Sequence, residues 1–235
     1  MQGKTSQFNW SARAKAAISV AYLGSPTFAL PKLAFLARHG LAATAFLSPT
    51  ELLDEPEKWR TVTLLGHEVG GGSLLGLTHD GRLTNWTRQM ILDDLVLSED
   101  LYDSLSPSRF SRPIAAPGPI LECADGSYED LLTNRAAFVL TSHRGVNHPV
   151  FCHPGRLSHL AVGEAPLSQT WSEVDEGIQK GAWVIVSFDL GQPAQAELHD
   201  EVIEELARRS QGLLTGCVGE VGAEILDFRF KLSLR

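Results

Sequence analysis

Three apolar runs, Ala16 to Leu23, Leu41 to Leu47 and Ala182 to Phe188, constrain what this chain can become more than any other feature. Each is too short for a stable isolated helix, contains or adjoins β-branched residues, and is bounded by Gly or Pro, which is the signature of a buried strand. Ile114 to Ala116 and Ala136 to Leu140 read as two further strands. Between them lie stretches of helical period. Leu30, Leu33, Ala34 and Ala37 recur at steps of three and four, with Pro31 suited to a first turn and Gly40 to a stop. A longer helix is predicted from Thr84 to Leu105, with Ile91, Leu95, Leu101 and Leu105 on one side, Asp93, Asp94, Asp100 and Asp103 mostly on others, and Ser106-Pro107 at its end. Further helices are predicted over Trp171 to Lys180, His199 to Ser210 and Gly219 to Leu226. Strand and helix alternate, so the fold class is α/β with parallel strands joined by crossover helices, arranged as a barrel or as a doubly wound sheet.

The 235 residues suffice for one substantial core, and a single domain over 1–235 is expected, with its core at about 16–226 and an N-terminal extension at 1–15. A net charge of −8 and a pI near 5.5 argue against nucleic acid as the partner, because phosphate binding depends on Lys and Arg displacing counterions. Cys123, Cys152 and Cys217 are odd in number and far apart, which suits neither a disulfide framework nor a Cys-x-x-Cys knuckle. The run Ala16 to Leu23 is shorter than a bilayer requires and no secretory segment is visible, so no membrane span is expected and the default compartment is the cytoplasm.

The glycines from Gly70 to Gly76 predict an irregular loop after Gly66-His67-Glu68-Val69. They lack the Gly-Lys-Ser/Thr of a phosphate loop and the spacing of a dinucleotide fingerprint, and no Gly-x-Ser-x-Gly elbow occurs. His143, His148, His153 and His159 gather near Cys152, but gaps of four and five residues among Gly145, Pro149, Pro154 and Gly155 read as a loop with scattered histidines rather than a metal site. Trp59, Trp86, Trp171 and Trp183 are read by default as packing residues, with stacking on sugar rings as the alternative wherever they are exposed, and the acidic helix face is read as solvated.

Taken in order, Ala17 to Ser25, Leu41 to Leu47, Gly66-His67-Glu68-Val69-Gly70, Arg112-Pro113 with Ala116-Pro117-Gly118, Gly181 to Ile185, and Gly219-Glu220-Val221 resemble the NodB-type polysaccharide deacetylases, the fourth family of carbohydrate esterases. The resemblance runs from about Ala16 to Ile225. It implies a distorted (β/α) barrel whose site lies where strand ends meet the following loops. It also implies a divalent metal, usually zinc, held by one Asp and two His, with a second Asp as base and a later His as acid.

At those positions this chain departs from the family. The paired aspartates fall on Leu23 and Gly24, or on Tyr22 and Leu23 one residue earlier, and no Asp, Glu or His occurs between Lys15 and Lys32. The two histidine ligands fall on Gly72 and Gly76, with His79 three residues beyond, and the general acid falls on Asp189 in Phe188-Asp189-Leu190. A zinc site stripped of its protein ligands cannot be rebuilt by groups that only orient ligands. No catalytic residue, metal ligand or cofactor is therefore assigned. Tyr22, Leu23, His67, Glu68, Gly72, Gly76, Arg112, Trp183 and Asp189 are the cleft candidates, His67 and Glu68 being read first as a hydrogen-bonded anchor. The expected function is a non-catalytic deacetylase-like domain in carbohydrate recognition or scaffolding, with a glycan, an N-acetylated sugar or a protein as partner. The alternative is a hydrolase of carbon–nitrogen bonds with its site moved to Glu68, Asp189 and the histidine-rich loop.

Overall fold

The computed structural model describes residues 8–23, 29–72, 82–105 and 111–234. Among these the strands are β1 (Ala17–Leu23), β2 (Ala43–Phe46), β3 (Glu68–Gly70), β4 (Arg82–Leu83), β5 (Ile114–Ala115), β6 (Glu122–Cys123), β7 (Gly126–Ser127), β8 (Val139–Arg144), β9 (Leu157–Ala161), β10 (Trp183–Asp189) and β11 (Leu214–Thr215). The helices are α1 (Ala29–Arg38), α2 (Pro49–Asp54), α3 (Pro56–Leu64), α4 (Arg88–Leu105), α5 (Glu129–Arg135), α6 (Leu167–Gln179), α7 (Pro193–Arg209) and α8 (Val218–Ser233).

Seven strands run in the order β3-β2-β1-β10-β9-β8-β5, every neighbouring pair parallel, with β11 added beside the start of β1. A single bridge joins the two ends of this order. The Gly71 amide donates to the Pro113 carbonyl at 2.7 Å, and Ala115 donates back to the Gly71 carbonyl at 3.2 Å. The result is a nearly closed, distorted (β/α) barrel, as the resemblance implies. β4, β6 and β7 form a separate three-stranded sheet.

Side chains on β1 alternate between two cores, as the two-residue period of a strand requires. Ala17 and Ala21 point inward to Phe46, Trp183, Ile185 and Leu157, while Ile18, Val20 and Tyr22 point outward to Leu33, Leu36, Val202 and Leu206 of α1 and α7. This double burial is why the run is apolar at successive positions. α8 closes the N-terminal end of the barrel, where Val218, Val221 and Ile225 join the inner core and Gly222 lies against the Phe138 ring.

The structure differs from the sequence reading in several places. Glu68–Gly70 is a strand within the expected irregular loop. Gly66, at φ 89°, ends α3 and releases the chain into β3, and Gly70 leaves room for the Phe46 ring and Thr44. His143 and His159 lie on the paired strands β8 and β9 rather than in a loop; His143 is exposed near the end of β8, whereas His159 is buried within the barrel. α2 and α3 fill the polar stretch after β2. α2 is started by a capping box in which Ser48 and Glu51 bond each other's backbone, and each helix has Pro in its first turn. α4 starts at Arg88 rather than Thr84, and Asp94 on it is buried, not solvated.

Candidate functional site

In a parallel barrel the chemistry belongs at the C-terminal strand ends, so the position of each candidate along its strand is decisive. Leu23 and Asp189 are register partners at the ends of β1 and β10, and Gly72 follows β3 by two residues. These three lie at the mouth. Gly76 and His79 fall outside the described residues.

Asp189 is held by its own loop. Its Oδ1 accepts from the Gly191 amide at 3.0 Å, and its amide donates to Gln195 Oε1 at 2.7 Å, so the carboxylate shapes the entry into α7. At Gly72 the backbone is committed as well. Its amide donates to Tyr102 Oη at 2.9 Å, and that hydroxyl donates in turn to the Leu47 carbonyl. A Cβ at Gly72 would stand 2.9 Å from the Leu47 carbonyl oxygen, too close for any side chain unless the backbone shifts.

One level below the mouth, His159 Nδ1 and Ser187 Oγ are 2.5 Å apart. Burial, with the Arg144 charge adding to it, lowers His159 to about 4, so the imidazole is neutral at pH 7. A neutral ring bonded to a hydroxyl is the first requirement of an activated serine. The second is access, and Ser187 is only 1% exposed and His159 6%. The pair therefore serves as a satisfied polar contact inside the barrel. Sequence gave no signal for it, because His159 and Ser187 lie 28 residues apart and form no motif.

His67, Glu68 and Trp183 lie at the opposite end of the barrel from the mouth, at the N-terminal ends of β3 and β10. His67 Nε2 donates to the Leu33 carbonyl at 2.9 Å and Nδ1 accepts from the Ala43 amide at 3.1 Å, which ties α1 to β2; burial lowers its pKa. Glu68 Oε2 accepts from the Gly219 amide at 3.0 Å and the Thr44 hydroxyl at 2.7 Å, and Thr44 Oγ1 accepts from the Val218 amide at 2.8 Å. The carboxylate thus caps the first turn of α8 from a distant strand. Burial raises its pKa, against the opposing effect of those two bonds. Trp183 Nε1 donates to Ser19 Oγ at 3.0 Å inside the barrel floor. Each residue of Gly66-His67-Glu68-Val69-Gly70 thus has a structural task, Val69 packing outward in the helix layer.

Tyr22 faces the helix layer, where its hydroxyl lies 2.6 Å from His199 Nε2; burial raises its pKa well beyond the ordinary tyrosine range. Arg112 sits at the seam between β3 and β5, donating to the Val69 carbonyl at 2.7 Å with its guanidinium 5.0 Å from the Tyr102 ring centre. Burial lowers its pKa.

The positions that correspond to the family's metal ligands do not fit a metal. Leu23, Gly24, Gly72 and Gly76 have no donor side chain, and Gly72 has no room for one. Among the described residues no group of three His, Cys, Asp or Glu is arranged to hold an ion. Glu68 begins β3 and Asp189 ends β10, so the two stand at opposite ends of the barrel and do not share one site. No helix among the described residues is long and apolar enough to cross a membrane.

No family model matches the sequence, and no curated protein does. Solved structures do match. The peptidoglycan deacetylase PdaC from Bacillus subtilis superposes with a TM-score of 0.55 at 20% identity, over 94% of this chain and 96% of that one. A family 4 carbohydrate esterase from Bacillus anthracis gives 0.56 at 14% identity, over 90% and 84%. A pseudoenzyme of the same esterase family, also from Bacillus anthracis, gives 0.56 at 16% identity, over 90% and 66%. This chain has the fold of the family 4 carbohydrate esterases, the polysaccharide deacetylases.

Proposed function

We propose that this protein is a non-catalytic polysaccharide-deacetylase-like domain that acts by recognising a glycan or by scaffolding, without a resident metal. The observation that carries the reading is Gly72. At the position of the family's first histidine ligand the backbone amide is bonded by Tyr102, and the Leu47 carbonyl occupies the space of a side chain. The change therefore reaches the backbone of the mouth as well as the identity of the ligands. Leu23, in register with Asp189, adds an apolar residue where the family has a carboxylate. A precedent exists in the fold, since one of the similar structures is a pseudoenzyme and another is a mutant of it with restored enzymatic activity.

The test is acetate release from N-acetylglucosamine oligomers and from peptidoglycan, measured with the purified protein in added zinc and in chelator. The expected result is no metal-dependent release. Metal-dependent turnover would overturn the reading, and loss of that turnover in Asp189→Ala with the fold intact would move the site to the end of β10.

A further inference from the structure

We propose that the cavity between α4 and the seam joining β3 to β5 binds one neutral sugar ring. The inference rests on the recognition role above and gives it a location between α4 and the outside of the barrel wall, meeting the mouth only at Gly72.

The cavity measures about 280 Å³. Small-molecule sites usually span about 300–1,000 Å³, so this one admits a single ring and little more. Its charged lining comes in opposed pairs. Arg135 Nη2 pairs with Glu99, and Arg112 Nη2 lies 3.7 Å from Asp103 Oδ1. Two guanidinium groups and two carboxylates sum to zero, so an anion meets the acids and a cation meets the arginines. A hydroxyl both donates and accepts, so a ring of hydroxyls satisfies both kinds of wall at once.

The remaining walls are apolar. Leu95, Ile114 and the Tyr102 ring supply a surface for the C–H face of a pyranose. Backbone lines the cavity at Gly71 and Gly72. A Cβ at Gly71 would lie 3.4 Å from Ile114 and Tyr102 and 3.5 Å from Arg112, which is ordinary contact. A methyl placed there reduces the cavity without a clash.

The test is a titration of the isotope-labelled full chain, followed by amide chemical shifts, with glucose and N-acetylglucosamine as neutral probes and glucuronate and glucosamine as charged controls. The neutral probes are expected to shift Gly71, Gly72, Ser98 and Arg135. Arg135→Gln and Gly71→Ala should each weaken binding by about tenfold, equivalent to about 1.4 kcal/mol, with circular dichroism unchanged. Preference for glucuronate would make this an anion site and overturn the proposal. Shifts confined to the residues around Leu23 and Asp189 would overturn the cavity while leaving glycan recognition standing. No shift with any probe would leave the cavity to water and overturn it too. Acetate release, measured separately, reports on the absence of catalysis and is independent of each of these outcomes.

Discussion

Replacing Gly219 with alanine tests whether Glu68 is a remote cap for α8 or a residue held in reserve for chemistry. A Cβ at Gly219 would stand 2.3 Å from Glu68 Oε1 and 3.2 Å from its Cδ, so the carboxylate must move. It is pinned by the Gly219 amide and the Thr44 hydroxyl, and it is buried. Displacement weakens at least one hydrogen bond to a charged group, about 1.5–3 kcal/mol, and forces a packed region to adjust at about 1–3 kcal/mol. Alanine returns roughly 1 kcal/mol of helix propensity. The net loss is about 1.5–5 kcal/mol, or roughly 3–20 °C in Tm for a chain of this size. Urea denaturation followed by circular dichroism measures it. The clash has a named partner, so in a Glu68→Ala background the same Gly219→Ala change should be neutral or stabilising by up to about 1 kcal/mol. An equal cost in both backgrounds, or a cost below about 0.5 kcal/mol in the parent, would refute the argument, because an unperturbed surface substitution is of that size.

Acid should destabilise the protein through His159. Its folded pKa of about 4 lies below the unfolded value near 6.5, so its contribution is complete above pH 6.5 and is lost as pH falls toward 4. The loss amounts to about 3 kcal/mol, and a flat stability profile between pH 7 and 4.5 would contradict it. His67 and His199, whose pKa values are also lowered by burial, add to the same trend, whereas Glu68, raised by burial, opposes it. Alanine at His67 orphans the Ala43 amide and the Leu33 carbonyl and should cost about 2–4 kcal/mol by the same urea assay. Gly222→Ala would set a Cβ 2.4 Å from the Phe138 ring and should lower stability by about 1–3 kcal/mol, with thermal melts as the check. Gly72→His alone should fail to create tight zinc binding in calorimetric titration, because the Leu47 carbonyl occupies the Cβ position and Gly76 supplies no second imidazole.

The amino-acid sequence by itself determined the α/β class, the parallel order of elements and the loss of every side chain that could ligate a metal at the family's positions. These are properties of period and residue type, which local physics exposes: an apolar run buried on both faces looks the same wherever it sits. What only the tertiary structure decided is which end of the barrel each candidate occupies. His67 and Glu68 lie close in sequence to Gly72, yet β3 carries the chain from the floor of the barrel to its mouth between them, so one motif spans two ends of the molecule. Tyr22 and Leu23 are neighbours, but the strand period sends one to His199 in the helix layer and leaves the other in register with Asp189 at the mouth. The partners of Glu68 and Gly72 lie far away in sequence, at Gly219 and at Tyr102 and Leu47, and no local pattern encodes such pairings. Burial and hydrogen-bond satisfaction are sums over contacts made by the whole chain, which is why residue types sufficed to show that the family's ligand side chains are missing and only the assembled barrel could say what surrounds their positions.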